Sequence, residues 1–322
     1  MVREFDAPVT AVLFDRGGEA AFALGDGSVR FEGGEVVEAH DGAVLSAYLH
    51  PSGQGVVTGG DDGRVVWSRP GEGVELADVK GRWIDAVAAS AESGLIAFAA
   101  GKSAFVLDQK DPHFRREFVH ERSVADLAFE PKGRKLACAT YGGVVLWFAR
   151  IETQKPVQLK WAGSHTRVAV SPDGAFVISA MQENQLHGWR LKDGKDMRMG
   201  GYPTKIRDMT FLDGGRMMAT SGAHGAVVWP FHGSNGPMGK EAAEVGFDET
   251  SFVVRTAGMP GGRRLAGGTA DGRVWVIDLG EGAHRWIKAE KGGAISGLAM
   301  TADGKRLAWG DEDGGAGVVD LD

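Results

Sequence analysis

The sequence predicts an all-β fold: a closed β-propeller of eight four-stranded blades, in a single domain over residues 1–322. Three observations predict it. One phrase recurs eight times, with first turns at Arg16-Gly17-Gly18, Ser52-Gly53, Ser93-Gly94, Lys132-Gly133, Asp173-Gly174, Asp213-Gly214, Gly261-Gly262 and Asp303-Gly304. Steps from Gly18 to Gly304 are 35, 41, 39, 41, 40, 48 and 42 residues, the period of a repeated multi-stranded unit. The 50 glycines sit at regular turn positions and not in tracts, so they punctuate hairpins.

The second unit shows the phrase in full. Val44–Leu49 is rich in strand formers. His50-Pro51-Ser52-Gly53 then turns the chain, proline fixing φ and glycine accepting φ > 0. Residues 54–59 form a second strand, Asp61-Asp62-Gly63 a tight hairpin, 64–67 a third strand and 74–79 an alternating outer strand. One such meander cannot bury both its faces; face-to-face packing of neighbours around an axis does so.

First strands follow the same phrase at Val9–Phe14, Val44–Leu49, 84–89, Val124–Phe129, 165–170, 206–211, Val253–Gly258 and Ile295–Met300. The eighth unit stops after its third strand, 316–320, and residues 2–5 are spare. Pairing the two chain ends completes the last blade and leaves no open edge. Seven blades, with one degenerate unit absorbed elsewhere, is the alternative.

The second unit also carries His40 before its first strand, Thr58 in its second, Asp62 in the tight turn and Trp67 in its third. This set resembles the structural His–Ser/Thr–Asp–Trp network of the WD40-repeat family. Trp147, Trp189, Trp229 and Trp275 end other third strands, and His120 matches the histidine of the fourth unit. The resemblance runs the length of the chain but is complete only in the second unit. Tyr141, Glu183 and His224 stand where the turn aspartate is expected, and the third unit has Gly101-Lys102-Ser103 there. The resemblance implies binding of protein or peptide partners.

A net charge of −7 argues against a duplex-binding protein, so no nucleic-acid partner is expected. No apolar run approaches the ~20 residues of a membrane span. Met1-Val-Arg-Glu-Phe-Asp6 lacks the regions of a signal peptide, and the single Cys138 sits in an apolar strand. A cytoplasmic protein is expected. The nine histidines show no compact metal-ligand spacing, and Asp61-Asp62 and Asp311-Glu312-Asp313 lie in turns too short for a calcium loop. Gly25-Asp-Gly-Ser28 joins two strands, whereas a phosphate cradle needs a following helix N-terminus. Neither a metal nor a cofactor is expected.

Aligning the eight first strands places Ala11, Ser46, Ala86, Asp126, Arg167, Asp208, Arg255 and Gly297 at one position. Asp126, Arg167, Asp208 and Arg255 alternate in sign on successive units. They read either as a chain of inter-blade ion pairs or as the polar mouth of a binding channel. Arg82, Trp83, Arg122, Trp161, Tyr202, Lys205 and Arg207 lie where the chain enters the inner strands, and these residue types are enriched in interaction hot spots. Arg82, Trp83, Tyr202 and Arg207 are the expected rim contacts. The leading functional expectation is a non-catalytic protein- or peptide-interaction scaffold. The competing one is a propeller enzyme with a channel-centred site, a quinone- or metal-dependent oxidoreductase or a hydrolase.

Overall fold

The computed structural model describes residues 2–322. Their regular structure is β throughout, apart from one short 3-10 turn at Asp213–Gly215. Strands neighbour one another in chain order, save the N-terminal strand, which pairs antiparallel with Gly315–Asp320. Seven hydrogen-bonded sheets carry the strands, six of four strands and one of six.

The expectation of eight separate blades is corrected by that count. The fourth and fifth repeats share the six-stranded sheet through two long segments, Lys135–Phe148 and Val157–Val170. Lys135–Phe148 pairs Val124–Phe129 with its first half and Val157–Val170 with its second. Val157–Val170 in turn pairs Phe176–Met181 through residues 165–170. Lys135–Phe148 reverses at Tyr141-Gly142, so that Ala149 N–H bonds to Arg134 O, and register shifts fall at Tyr141/Gly143 and at His165/Arg167. Val157–Val170 carries the chain from one repeat to the next through Gly163 at φ 120°.

Two compact units divide the chain. A terminal unit holds residues up to Phe14, Asn184–Leu186 and Met197–Asp322; a central unit holds Asp15–Glu183 and His187–Asp196. In both, the core lies between the faces of successive sheets. In the central unit, Val57, Ile84, Ile96, Phe98 and Phe105 fill one such layer, and Leu95, Val106, Leu127, Leu136 and Cys138 the next. In the terminal unit, Leu212, Leu265 and Trp275 form one layer, and Val274, Ile295, Leu307 and Trp309 another.

The first residue of each inner strand sets how closely the sheets approach. Val9, Val44, Ile84, Val124, His165, Ile206, Val253 and Ile295 are all buried. Three of them press on a glycine in a second strand. A Cβ on Gly59 would stand 2.4 Å from Ile84 Cγ2, one on Gly268 2.5 Å from Ile295 Cγ2, and one on Gly310 2.4 Å from Val9 Cγ1. Glycine is used here for close backbone approach, since none of the three has a positive φ.

The strand Val2–Glu4 pairs antiparallel with Gly315–Asp320 and completes the sheet of Ile295–Met300 and Arg306–Asp311. The sequence assigns residues 2–5 to this place. Phe5 N–H adds a bond to Gly314 O at 2.9 Å. Removing residues 1–6 should expose the edge of Gly315–Asp320 and lower the stability of the chain by about 1–3 kcal/mol, from three cross-strand pairs at a few tenths to one kcal/mol each. A thermal melt checks this; an unchanged melting temperature would contradict it.

Candidate functional site

The second repeat builds the polar network that the sequence assigns to it, with one member missing. His40 Nδ1 donates to Asp62 Oδ1 at 3.0 Å, and the Thr58 hydroxyl meets Nε2 at 2.8 Å. Asp62 also accepts from Asp41 N–H, Arg64 N–H and the Arg64 guanidinium. Burial pushes the Asp62 carboxyl up, but these bonds outweigh it and hold it well below the usual carboxylate range. Burial keeps His40 below its ordinary value, outweighing the neighbouring carboxylate.

Trp67 is outside this network, which corrects the expectation. Thr58 pairs with Val66, and Val57 with Trp67. In the sixth repeat, Trp229 pairs with Met218, two residues before Thr220. Trp67 is therefore one position early, and its ring falls on the other face. It stacks on His50 at 3.9 Å, lies under Arg69, and its Nε1 donates to Gln54 O. Ser68 holds the position a tryptophan would take, and its buried hydroxyl has no partner.

Tyr202 is likewise not a rim contact. It is 8% exposed, its hydroxyl is 2.7 Å from Thr220 Oγ1, and Trp229 Nε1 donates to it at 2.6 Å. A tyrosine here fills the histidine's place in the network. Burial raises its phenol to about 12. Trp161 also packs, stacking on His187 at 4.0 Å.

Three residues of the charged arc bond to backbone. Asp126 Oδ2 accepts Val168 N–H at 2.8 Å, and Asp208 Oδ2 accepts Thr256 N–H at 3.1 Å. Arg255 Nε donates to Ser296 O at 2.7 Å. Ser46 Oγ donates to Ile84 O at 3.0 Å from the same aligned position. Each side chain thus clamps the backbone of the next inner strand. Arg167 comes within 3.9 Å of Asp126, but its side chain is 45% exposed. The pair is long and wet, and such pairs contribute little.

In the central unit the turns between second and third strands become short. In the second repeat Gly59 pairs with Val65, so residues 60–64 form a turn long enough to return Asp62 to His40. In the third repeat Ala100 pairs with Ser103, leaving Gly101-Lys102 alone to turn. In the fourth, Tyr141-Gly142 turns the chain, with Gly142 at φ 95° and the Thr140 hydroxyl bonding to Gly143 O. These turns cannot carry an acid back to the histidine. His120 instead donates from Nδ1 to Lys102 O and accepts from Trp147 Nε1 at 3.0 Å. Above that pair is a hollow of about 260 Å³, lined by residues 119–122, 140–145, Trp147, Pro156 and 158–160.

Apolar side chains stand exposed at its edge, Val119 at 67% and Tyr141 at 63%. Arg82 reaches Ala100 O at 3.5 Å beside the short third-repeat turn, and Trp83 next to it is 64% exposed. Of the residues assigned from sequence, Arg82 and Trp83 are exposed in the central unit and Arg207 in the terminal unit. Val119, Tyr141 and Lys160 were not assigned. The signal for them was present in the shortened turns at Gly101-Lys102-Ser103 and Tyr141-Gly142-Gly143. Among the described residues, no group of three or more His, Cys, Asp or Glu is placed to hold a metal ion.

The family model described as "WD domain, G-beta repeat" matches residues 34–67, the repeat with the His40–Thr58–Asp62 network. The chain resembles a WD40-type β-propeller. Telomerase protein component 1 of Rattus norvegicus is 23% identical over 203 residues, which is 62% of this chain and 7% of that protein. The WD40-like chain thus spans a small part of that relative. Among solved structures, the computationally designed Ika8 protein superposes with a TM-score of 0.79 at 19% identity, covering 99% of this chain and 98% of that one. The β-propeller domain of Myceliophteria thermophila Cps50 (Swd1) superposes with a TM-score of 0.68 at 14% identity, covering 87% and 97%. Both likenesses are of fold.

Two predictions follow from the WD40-like networks. Asp126→Ala strands the Val168 N–H and should cost about 1–3 kcal/mol, whereas Asp126→Asn keeps an acceptor and should cost less. Arg167→Ala should cost under about 1 kcal/mol, as for a half-exposed pair. Denaturant unfolding of the three variants checks the order, and an Arg167→Ala loss above that of Asp126→Ala would restore the ion-pair reading.

The second concerns pH. Burial lowers His40, His120 and His165, and lowers His50 to about 4. The unfolded chain therefore binds more protons as pH falls from about 7 toward 4, and stability drops in that window. Asp62, Asp248 and Asp271 are held low, so their contribution persists above about pH 4 and is lost below it. Glu19 and Asp85 are raised by burial and act in the opposite sense, but are fewer. The melting temperature should thus fall in two stages, and a flat profile between pH 7 and 5 would refute the histidine stage.

Proposed function

We propose that the chain is a non-catalytic interaction platform that binds a protein or peptide partner at the hollow of the central unit. The observation that carries this reading is the pair of two-residue turns, which leave Val119 and Tyr141 exposed over a cavity floored by a satisfied His120–Trp147 pair. Large exposed apolar side chains beside a concave, rigid floor are what a partner's side chain needs for desolvation. Arg82 and Trp83 extend the contact surface, and Arg207 offers a separate exposed cation in the terminal unit. Asp126, Asp208 and Arg255 serve sheet register and stay out of partner contact. Residues 1–322 act as one propeller domain in a reducing compartment such as the cytoplasm, where the buried Cys138 stays a thiol.

The test is affinity capture from the native cell with mass spectrometry, run with the wild-type chain and a Trp83→Ala/Tyr141→Ala variant. Both side chains are exposed, so the variant should melt as the wild type does. A partner retained by the wild type and lost by the variant is the expected result. Capture that is unaffected by the double substitution would refute the site.

A further inference from the structure

We propose that the central unit holds a second binding site, a crevice between the second and third repeats. It takes a neutral, mainly apolar small molecule, one carbonyl oxygen of which accepts from His50. The crevice encloses about 570 Å³ and shares no residue with the hollow of the fourth repeat. Small-molecule sites span roughly 300–1,000 Å³ and are walled mainly by apolar side chains. Here Val74, Leu76, Ile96, Leu107, Pro112 and Phe114 are those walls.

The slip of Trp67 by one position builds one side of the crevice. The indole leaves the network of its own repeat and lines the space beside Leu107 of the third repeat. His50 stacks on its ring at 3.9 Å, and Arg69, held by Glu72 at 2.6 Å, lies over it at 4.2 Å. Trp67 is thus a fixed wall, and His50 is fixed against it.

His50 supplies the polar contact. It lines the crevice and is only 4% exposed. Ser52 N–H donates to its Nδ1 at 3.2 Å. The Ser52 hydroxyl, which itself accepts Gln54 N–H, donates to the same nitrogen at 2.7 Å. Nδ1 is therefore the acceptor, and Nε2 carries the proton. Among the described residues nothing accepts that proton. A buried donor calls for an acceptor, and the crevice is where one fits. Burial, with Arg69 nearby, lowers His50 to about 4, so the imidazole is neutral at pH 7. A neutral donor suits a carbonyl oxygen; a carboxylate would give up its hydration without gaining a charged partner at that atom.

The experiment follows the fluorescence of Nile red, a neutral dye with one carbonyl, bound to the full chain at neutral pH. Its competitors are 4-phenylcyclohexanone, phenylcyclohexane and 4-phenylcyclohexanecarboxylate. The ketone should displace the dye roughly threefold to tenfold better than the hydrocarbon, the effect of one neutral hydrogen bond, and better than the carboxylate. His50→Phe keeps a ring against Trp67 and removes the donor, so ketone and hydrocarbon should then compete equally. Leu76→Trp fills the crevice and should abolish saturable dye binding; Leu107→Trp replaces it should the first variant lower the melting temperature. Absence of saturable binding to the wild type, equal competition by ketone and hydrocarbon there, or dye binding that survives both filling variants would overturn the proposal. The carboxylate competing best would overturn the neutral chemistry. Acetyl-Leu-Phe-Leu-amide competing better than the ketone would make the crevice a peptide site and overturn the small-molecule assignment.

Discussion

The close seating of each inner strand's first residue on the preceding sheet is the constraint on which the other features depend. Ile84 on Gly59, Ile295 on Gly268 and Val9 on Gly310 bring backbone within reach of backbone. At that separation there is no room for water between inner strands, so their backbone groups need protein partners. The clamps answer that need. Ser46 takes Ile84 O, Asp126 takes Val168 N–H, Asp208 takes Thr256 N–H and Arg255 takes Ser296 O. Where the aligned residue is Gly297, a Cβ would stand 2.6 Å from Val12 Cγ2, so the clamp gives way to direct packing.

Much of this was legible in the sequence because periodicity records burial. The inner strands, the glycine turns and the use of residues 2–5 as a closing strand all follow from an apolar phrase and a missing final strand. The count of separate sheets was not legible. Residues 157–170 read as an outer strand followed by an inner one, and nothing in their side chains says that one strand segment spans both. Continuity of hydrogen bonding across a bulge is a property of φ and ψ, which residue type constrains only weakly there.

Errors at single residues share one cause. Trp67 and Tyr202 were each assigned by residue type, but their roles follow from register and face. One residue of slip moves a side chain to the opposite face of a strand, which is what separates Trp67 from Trp229. Tyr202 shows the reverse case, in which a different residue type keeps the role. Its hydroxyl bonds Thr220 and Trp229 much as an imidazole nitrogen does in the fourth repeat, where Trp147 meets His120. Alternating sign in the charged arc suggests pairing, whereas the bonds of Asp126, Asp208 and Arg255 run to backbone groups.

Degeneracy of the repeats and the candidate surface are two sides of one physical change. A five-residue turn returns an aspartate to its histidine and covers the top of the second repeat. Two-residue turns cannot, so in the fourth repeat the histidine is satisfied from below, by Trp147 and Lys102 O. That keeps the sheet's polar atoms bonded while removing the cover above them. The exposed Tyr141 and Val119 are therefore tolerated because the floor beneath them is already complete. In the second repeat the same space is filled by Asp62 and Arg64, which bind each other at 2.8 Å and leave no free charge. Shortening the turn thus opens a hollow above a floor whose polar atoms are already bonded.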